Sequence, residues 1–490
     1  MICVTFSGGY GMLMRSIDVK RISIVLILVA LMVSAFVLRL DNAKKSKKVT
    51  IDENVYYCLG LQLKHDGLLK YDAKNCADVL IEMDSIFSPL PAYFYKPLFK
   101  HPPLFSCWVA LSLKIFGDAF ISAGYVSLLF GILLIPLTYL LGKEFFDERI
   151  GLLSAFFLWM DPVNIICSQK VWMETTLAFF ILLSVYLFAM GERTNKSLYF
   201  LFSGISCGLA VLTKYPGILV LVIMIIYIAA YRTDLIKNKT LLLSLLIPFL
   251  MLLPWAVWNF SVYGSEFLLK MGRMHSVFSG NTRRNVIAVL FGGVSLALVW
   301  KLFFVKENLF YQQMVPVALT KKKEKKHSLL MILIGIVFFA ALFPHIYHSF
   351  NFHHLPVTTW YSGGFRHPLF YFGQLIEFHF LYVFSFLSFF VYNAKRFEDG
   401  ALLNMAFFTI MIFFLLWGNY QSRYILAATP ILIIIGAAFW MELFEKFQRN
   451  GKPGVRFVGC GILIILLAFL FLKTNYINFL VSYPNDMCYF

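Results

Sequence analysis

Apolar runs of about 18 or more residues recur along the whole chain, and a helix of that length crosses about 30 Å of hydrocarbon. This one feature leaves few folds open. Of 490 residues, 60% are hydrophobic and only 14% are charged, whereas a soluble chain is about a quarter charged. The sequence therefore predicts an all-α polytopic membrane protein.

About thirteen spans are expected, near 22–40, 119–142, 150–168, 174–191, 197–213, 216–231, 240–258, 286–305, 328–345, 369–392, 401–418, 424–443 and 456–473. Basic residues fix their direction. With the N-terminal segment 1–21 in the cytoplasm, the loops RTNK, YRTDLIKNK, KKKEKK, NAKR and EKFQRNGKPGVR all fall inside, as the positive-inside rule requires. KKSKK (44–48) alone dissents. The spans then form one unit over 22–473, with outer loops at 41–118, 169–173, 258–285 and 346–368 and an outer tail at 474–490. The first outer loop carries YYCLGLQLKHDGLL and HPPLFSCWVALSLKIFG, half-length apolar helices of the kind that lie along a membrane surface.

The net charge of +17 reads as topology-setting and lipid-facing cations rather than as a nucleic-acid surface. The eight cysteines show no CxxC pair and no metal spacing; Cys58 and Cys76 share the first outer loop and are a candidate disulfide. The first apolar run lacks a small-residue cleavage site and is long enough to span, so no cleavable signal peptide is expected.

Two outer loops carry acids close to the membrane. VTIDENVYY places Asp52 and Glu53 at a helix start, and SQKVWMETTL places Glu174 at the outer end of a span. Acids at helix starts favour the dipole and can be caps alone. The other reading is carboxylates that bind a metal or accept a proton at the surface. The segment PHIYHSFNFHHLPVTTWYSGGFRHP adds His345, His348, His353, His354 and His367, with Trp360, Tyr361 and Arg366 as candidate cleft residues. Metal ligation, a substrate cleft and a plain surface loop all remain open for it.

The order of several motifs resembles the C-type (GT-C) glycosyltransferase superfamily, in its protein mannosyltransferase and aminoarabinose transferase branch (families 39 and 83). DENVYY resembles the first-loop acidic motif. KHPPLFSCWVALSLKIFGD resembles the Lys-Pro-Pro-Leu segment, and SQKVWME resembles Ser-Arg-x-x-x-x-Asp. GLAVLTKYPG, PWAVWNFSVYG and QSRYILAATPIL follow in the family's order. The resemblance covers about residues 22–265 and 420–440. Glu174 stands where Asp is usual, Gln169 where Arg is usual, and His101 where Lys is commoner, with Lys100 just before it.

The resemblance implies a membrane glycosyltransferase with a polyprenyl-phosphate-linked sugar donor and a protein, lipid or glycan acceptor. Asp52 is then the expected base of an inverting displacement, with Glu53 and Glu174 placing the acceptor or a divalent metal held by Asp52 and Glu174. Lys96, Lys100, His101 and Arg423 are candidates for the donor phosphate, and Tyr56, Lys170, Tyr361, Arg366 and Tyr424 for the substrate cleft. The expected location is a prokaryotic plasma membrane, with the site on its outer face. A flippase, or a polymerase or ligase of lipid-linked sugars, is the alternative.

Overall fold

The computed structural model describes residues 9–45, 49–68, 71–72, 96, 98, 100–267, 333, 335–351, 359–360, 369–391, 400–416, 420–449 and 452–482. These residues are almost wholly helical. α1 (Gly9–Lys45) is the first apolar run, and α2 (Ile51–Asp66) and α3 (Leu104–Phe116) follow it as a packed pair. Gly60 permits that packing, because a Cβ there would meet Val109 Cγ1 at 2.4 Å. Tyr57 Oη donates to Asp118 O at 2.5 Å and Lys64 pairs with Asp118 at 2.5 Å, tying α2 to the end of α3.

The next helices are α4 (Phe120–Phe145), α5 (Glu148–Trp159), α6 (Pro162–Gln169), α7 (Glu174–Thr194), α8 (Ser197–Thr213), α9 (Leu219–Tyr231) and α10 (Lys239–Tyr263). Beyond them come α11 (Phe343–Phe350), α12 (Phe370–Phe378), α13 (Leu381–Val391), α14 (Ala401–Leu416), α15 (Thr429–Gln448) and α16 (Pro453–Ser482). Two-residue strands β1 (Thr359–Trp360) and β2 (Tyr420–Gln421) pair antiparallel, with Trp360 opposite Tyr420.

Small residues let the helices approach closely where no hydrophobic force distinguishes neighbour from lipid. A Cβ on Gly142 would lie 2.8 Å from Gly151 Cα, joining α4 to α5. Ser184 and Ser203 each donate to the other's carbonyl, at 2.7 and 2.8 Å, between α7 and α8. α7 is a central helix, 72% of its apolar window being buried, whereas only 6% of that of α1 is. The exposed Val25, Leu26 and Val29 of α1, and Phe249, Leu250 and Leu253 of α10, present an apolar surface suited to lipid.

Five helices among the described residues are long and apolar enough to cross a membrane, or six if the bent pair α5–α6 is one span. The expected count of about thirteen is not reached among these residues. Ser197–Thr213, Tyr215–Tyr231 and Ala401–Leu415 are apolar helices shorter than 18 residues. Expected span 286–305 lies outside the described residues, as do 328–332 and 334 of the span expected at 328–345. Others are interrupted: 150–168 breaks at Met160–Asp161 with a 54° bend, and 369–392 breaks at His379–Phe380. Hydropathy registers neither break, because the flanking residues remain apolar.

Candidate functional site

The acids read from the sequence meet at the start of α2. Thr50 caps that helix: its Oγ1 accepts from Glu53 N at 3.4 Å, while Glu53 Oε2 accepts from Thr50 N at 2.8 Å. This reciprocal box satisfies two N–H groups that a helix start otherwise leaves open. The other Glu53 oxygen accepts from Val171 N at 3.1 Å, and Lys170 Nζ lies 3.8 Å from Oε2. Glu53 is thus buried and engaged on both oxygens. It staples α2 to the segment 170–173 between α6 and α7.

Trp172 completes the staple. Its ring is fully buried, its Nε1 donates to Thr50 Oγ1 at 3.2 Å, and its backbone N and O both bond to Ser127 Oγ of α4. The indole also forms the floor beneath Arg423, whose guanidinium carbon sits 4.4 Å from the ring centroid. Tyr424 flanks the same cation at 5.5 Å. A planar guanidinium suits such stacking while its edge remains free to bond.

With Glu53 occupied, Asp52 points its carboxylate the other way. Arg423 Nη2 donates to Asp52 Oδ2 at 2.5 Å, and Arg423 Nε donates to Gln421 Oε1 at 2.6 Å and lies 3.9 Å from Glu174 Oε1. Lys214 Nζ donates to that same Glu174 oxygen at 3.0 Å and lies over the Tyr424 ring at 4.6 Å. Arg423 and Glu174 are buried, but 38% of the Asp52 side-chain surface is open. That carboxylate is therefore accessible to solvent in part.

Burial would raise the Asp52 carboxyl, but Arg423 and then Lys100, with help from the Arg423 hydrogen bond and His101, hold it well below the usual carboxylate range. Tyr56, one turn along α2, is pushed the opposite way: burial first, then Asp52 and Glu174, keep its phenol protonated. Its Oη donates to Met173 Sδ at 3.9 Å, and its ring meets His101 edge-on at 5.7 Å. Asp52 and Glu174 therefore face three cations, Arg423, Lys214 and Lys100, which leaves one positive charge in excess. Glu174 Oε2 is buried without a hydrogen-bond partner, as is Gln169 Nε2 at the end of α6.

The other expected site residues divide. Lys96 lies over the Tyr263 ring at 5.9 Å. Tyr361, Arg366, His353, His354 and His367 lie outside the described residues, as does Cys76; Cys58 is disulfide-bonded. His345 Nδ1 bonds Glu377 Oε1 at 2.5 Å between α11 and α12, a separate pair. The donor set does not suit a divalent metal held by Asp52 and Glu174, because Arg423 and Lys214 already pair with both carboxylates. Among the described residues no three His, Cys, Asp or Glu side chains form a metal-holding group.

Lys214, Trp172, Thr50 and Gln421 were not singled out as site residues from the sequence. Lys214 had a signal, the lysine of GLAVLTKYPG; Thr50 had one too, as the first residue of the box Thr-x-x-Glu.

The family model for dolichyl-phosphate-mannose-protein mannosyltransferase matches residues 100–258. A protein of Aquifex aeolicus (strain VF5), described as uncharacterized, is 30% identical over 182 residues, 36% of each chain. Among solved structures, the Archaeoglobus fulgidus oligosaccharyltransferase AglB, in complex with an inhibitory peptide and a dolichol-phosphate, superposes with a TM-score of 0.54 at 18% identity. The two chains share a fold. ArnT from Cupriavidus metallidurans, bound to undecaprenyl phosphate, gives a TM-score of 0.50 at 13% identity over 93% of this chain and 75% of that one. The AglB match covers 95% of this chain, which spans 56% of AglB, about half its length.

Proposed function

We propose that this integral membrane protein transfers a sugar from a polyprenyl-phosphate-linked donor to an acceptor on the outer face of the membrane, within a layout of about thirteen spans. One observation carries the reading. Segments about 370 residues apart, at Asp52 and Arg423, together with Glu174, Lys214 and Lys100, build an acid–base cluster with one cation in excess. A phosphate headgroup meets that excess. Two solved proteins of the same fold hold polyprenyl phosphates, which supports a donor of the same class.

In this mechanism the donor phosphate draws Arg423 away from Asp52, with Lys214 and Lys100 sharing the negative charge. Asp52, released from its ion pair, becomes a stronger base. An acceptor oxygen or nitrogen attacks the anomeric carbon, its proton passes to Asp52, and the bond from that carbon to the phosphate oxygen breaks. The products are the glycosylated acceptor and polyprenyl phosphate. No covalent sugar–enzyme intermediate is needed, and the anomeric configuration inverts. Glu174, held by Lys214, helps to place the acceptor. Glu53 and Lys170 hold the frame.

Washed membranes containing the overproduced protein, given radiolabelled polyprenyl-phosphate sugars, test the reading. Label leaving the lipid donor for an acceptor, with inverted configuration, supports it. Label crossing sealed vesicles while remaining on the lipid supports a flippase instead.

A further inference from the structure

The break between α5 and α6 is buried inside the bundle, and both of its open ends are capped by ionisable side chains. Where a helix stops inside hydrocarbon, its last carbonyls and first N–H groups have no water to bond. Here Arg39, fully buried on α1, sends Nη2 to the carbonyl of Trp159, the last residue of α5, at 3.3 Å. Asp161, also fully buried, accepts from Asn164 N at 2.9 Å and caps the start of α6. Each charge matches the helix end it meets: a cation at the C-terminus and an acid at the N-terminus. Tyr382 of α13 donates to the remaining Asp161 oxygen at 2.9 Å. Arg39 Nε and Nη1 are buried without a hydrogen-bond partner, so the guanidinium is held here at a cost that a continuous helix would avoid.

The bend has a destination. It turns α6 by 54°, and α6 then lies against Gly131 of α4, where a Cβ would meet Ser168 Oγ at 1.9 Å. Asn164 Nδ2 donates to Gly131 O at 3.2 Å. From there the chain runs directly into Lys170–Met173, the segment stapled to Glu53 and Ser127, and on to Glu174. A straight helix through 160–161 would carry this segment away from Asp52.

We propose that Asp161, locked by Tyr382, is a positioning residue: it fixes the joint that places Glu174, and the Trp172 floor of Arg423, opposite Asp52. The catalytic half of this proposal rests on the transferase reading above; the structural half does not. The test uses the full-length protein in lipid nanodiscs with Asp161→Ala, Asp161→Asn and Tyr382→Phe. Two readouts are taken, hydrogen exchange by mass spectrometry and steady-state transfer from a labelled polyprenyl-phosphate sugar.

In Asp161→Ala, exchange across 162–173 is expected to rise about tenfold while Ser197–Thr213 keeps its wild-type rate, and kcat to fall at least about tenfold with donor KM within about threefold. Asp161→Asn retains an acceptor for Asn164 N–H and should restore both to within about threefold. Tyr382→Phe should fall between. Unchanged exchange over 162–173, a uniform rise over the whole protein, or failure of the Asn variant to rescue would overturn the proposal. The expected exchange pattern in a protein with no transfer activity would uphold the joint and overturn only the reading of the site.

Discussion

Replacing Arg423 with alanine removes the group on which the arrangement turns. Its guanidinium bonds Asp52 at 2.5 Å, lies 3.9 Å from Glu174 and rests on Trp172. Two unit charges about 4 Å apart attract by roughly 4 kcal/mol at an effective dielectric constant near 20. With 38% of the Asp52 side chain open, solvent screening cuts this to about 1–2 kcal/mol, or roughly one pH unit in the protonation of that carboxylate. The sign follows from the direction of the perturbation. Asp52 is depressed when paired, so it remains ionised at every pH used for assay and the pairing stabilises the fold above a pH of about 4. Without Arg423, burial dominates and the carboxyl rises.

The pH dependence of kcat/KM, which reports the free enzyme, should therefore differ between the proteins. The wild type shows no limb from Asp52 within the working range, whereas Arg423→Ala moves that acid limb upward, toward the ordinary carboxylate range. Its kcat/KM at neutral pH drops by about 10²–10³, the cost of a lost donor to the departing phosphate. Arg423→Lys keeps the charge without the fork and should recover part of this loss, with no new acid limb. An Arg423→Ala profile that parallels the wild type, with donor KM and kcat unaltered, would refute both the ion pair and the phosphate role.

Other perturbations separate frame from chemistry. Glu53→Ala opens the capping box and leaves the Val171 N–H without its acceptor, so unfolding in detergent should become easier by about 2–4 kcal/mol, with Glu53→Gln costing about half as much. Lys214→Met strips buried Glu174 of its 3.0 Å partner; about 3 kcal/mol of stability and about 10²-fold in kcat/KM should be lost, with Lys214→Arg restoring part. Because Arg423 and Lys214 already pair with the carboxylates, EDTA should leave the transfer rate within about twofold of the control, and a larger fall reversed by divalent cations would contradict that reading.

Much of the site could be read from the residue pattern because acids beside apolar runs are expensive to place and therefore conspicuous. Asp52, Glu174 and Arg423 stood out for that reason, and they meet. The Thr50–Glu53 box was written locally in VTIDE, so the division of labour between neighbouring acids follows from short-range chemistry. Lys214 was harder to isolate: at the end of an apolar run, a lysine reads equally as an interface anchor. Trp172 likewise reads as an interface aromatic, and only the tertiary fold brings it beneath a cation about 250 residues away.

Helix breaks were the main blind spot. The run 150–168 is apolar enough to read as one span, and LWMDPVNII holds the one hint, an Asp followed by Pro at a helix start. What Asp161 meets there, Tyr382 and the Arg39 side of the joint, comes from helices distant in sequence. Hydropathy is summed along a window, and it cannot register a charge whose cost is offset by partners from elsewhere in the bundle.

On the proposed mechanism Asp52 takes the proton as a sugar leaves a lipid phosphate at the Arg423–Lys214–Glu174 cluster. This step is tested most directly by single-turnover transfer from a radiolabelled polyprenyl-phosphate sugar, comparing the wild type with Asp52→Asn in protein that binds the lipid donor equally well. The expected result is a transfer rate about 10³-fold lower in Asp52→Asn, with donor binding retained. Full-rate transfer by Asp52→Asn would contradict it.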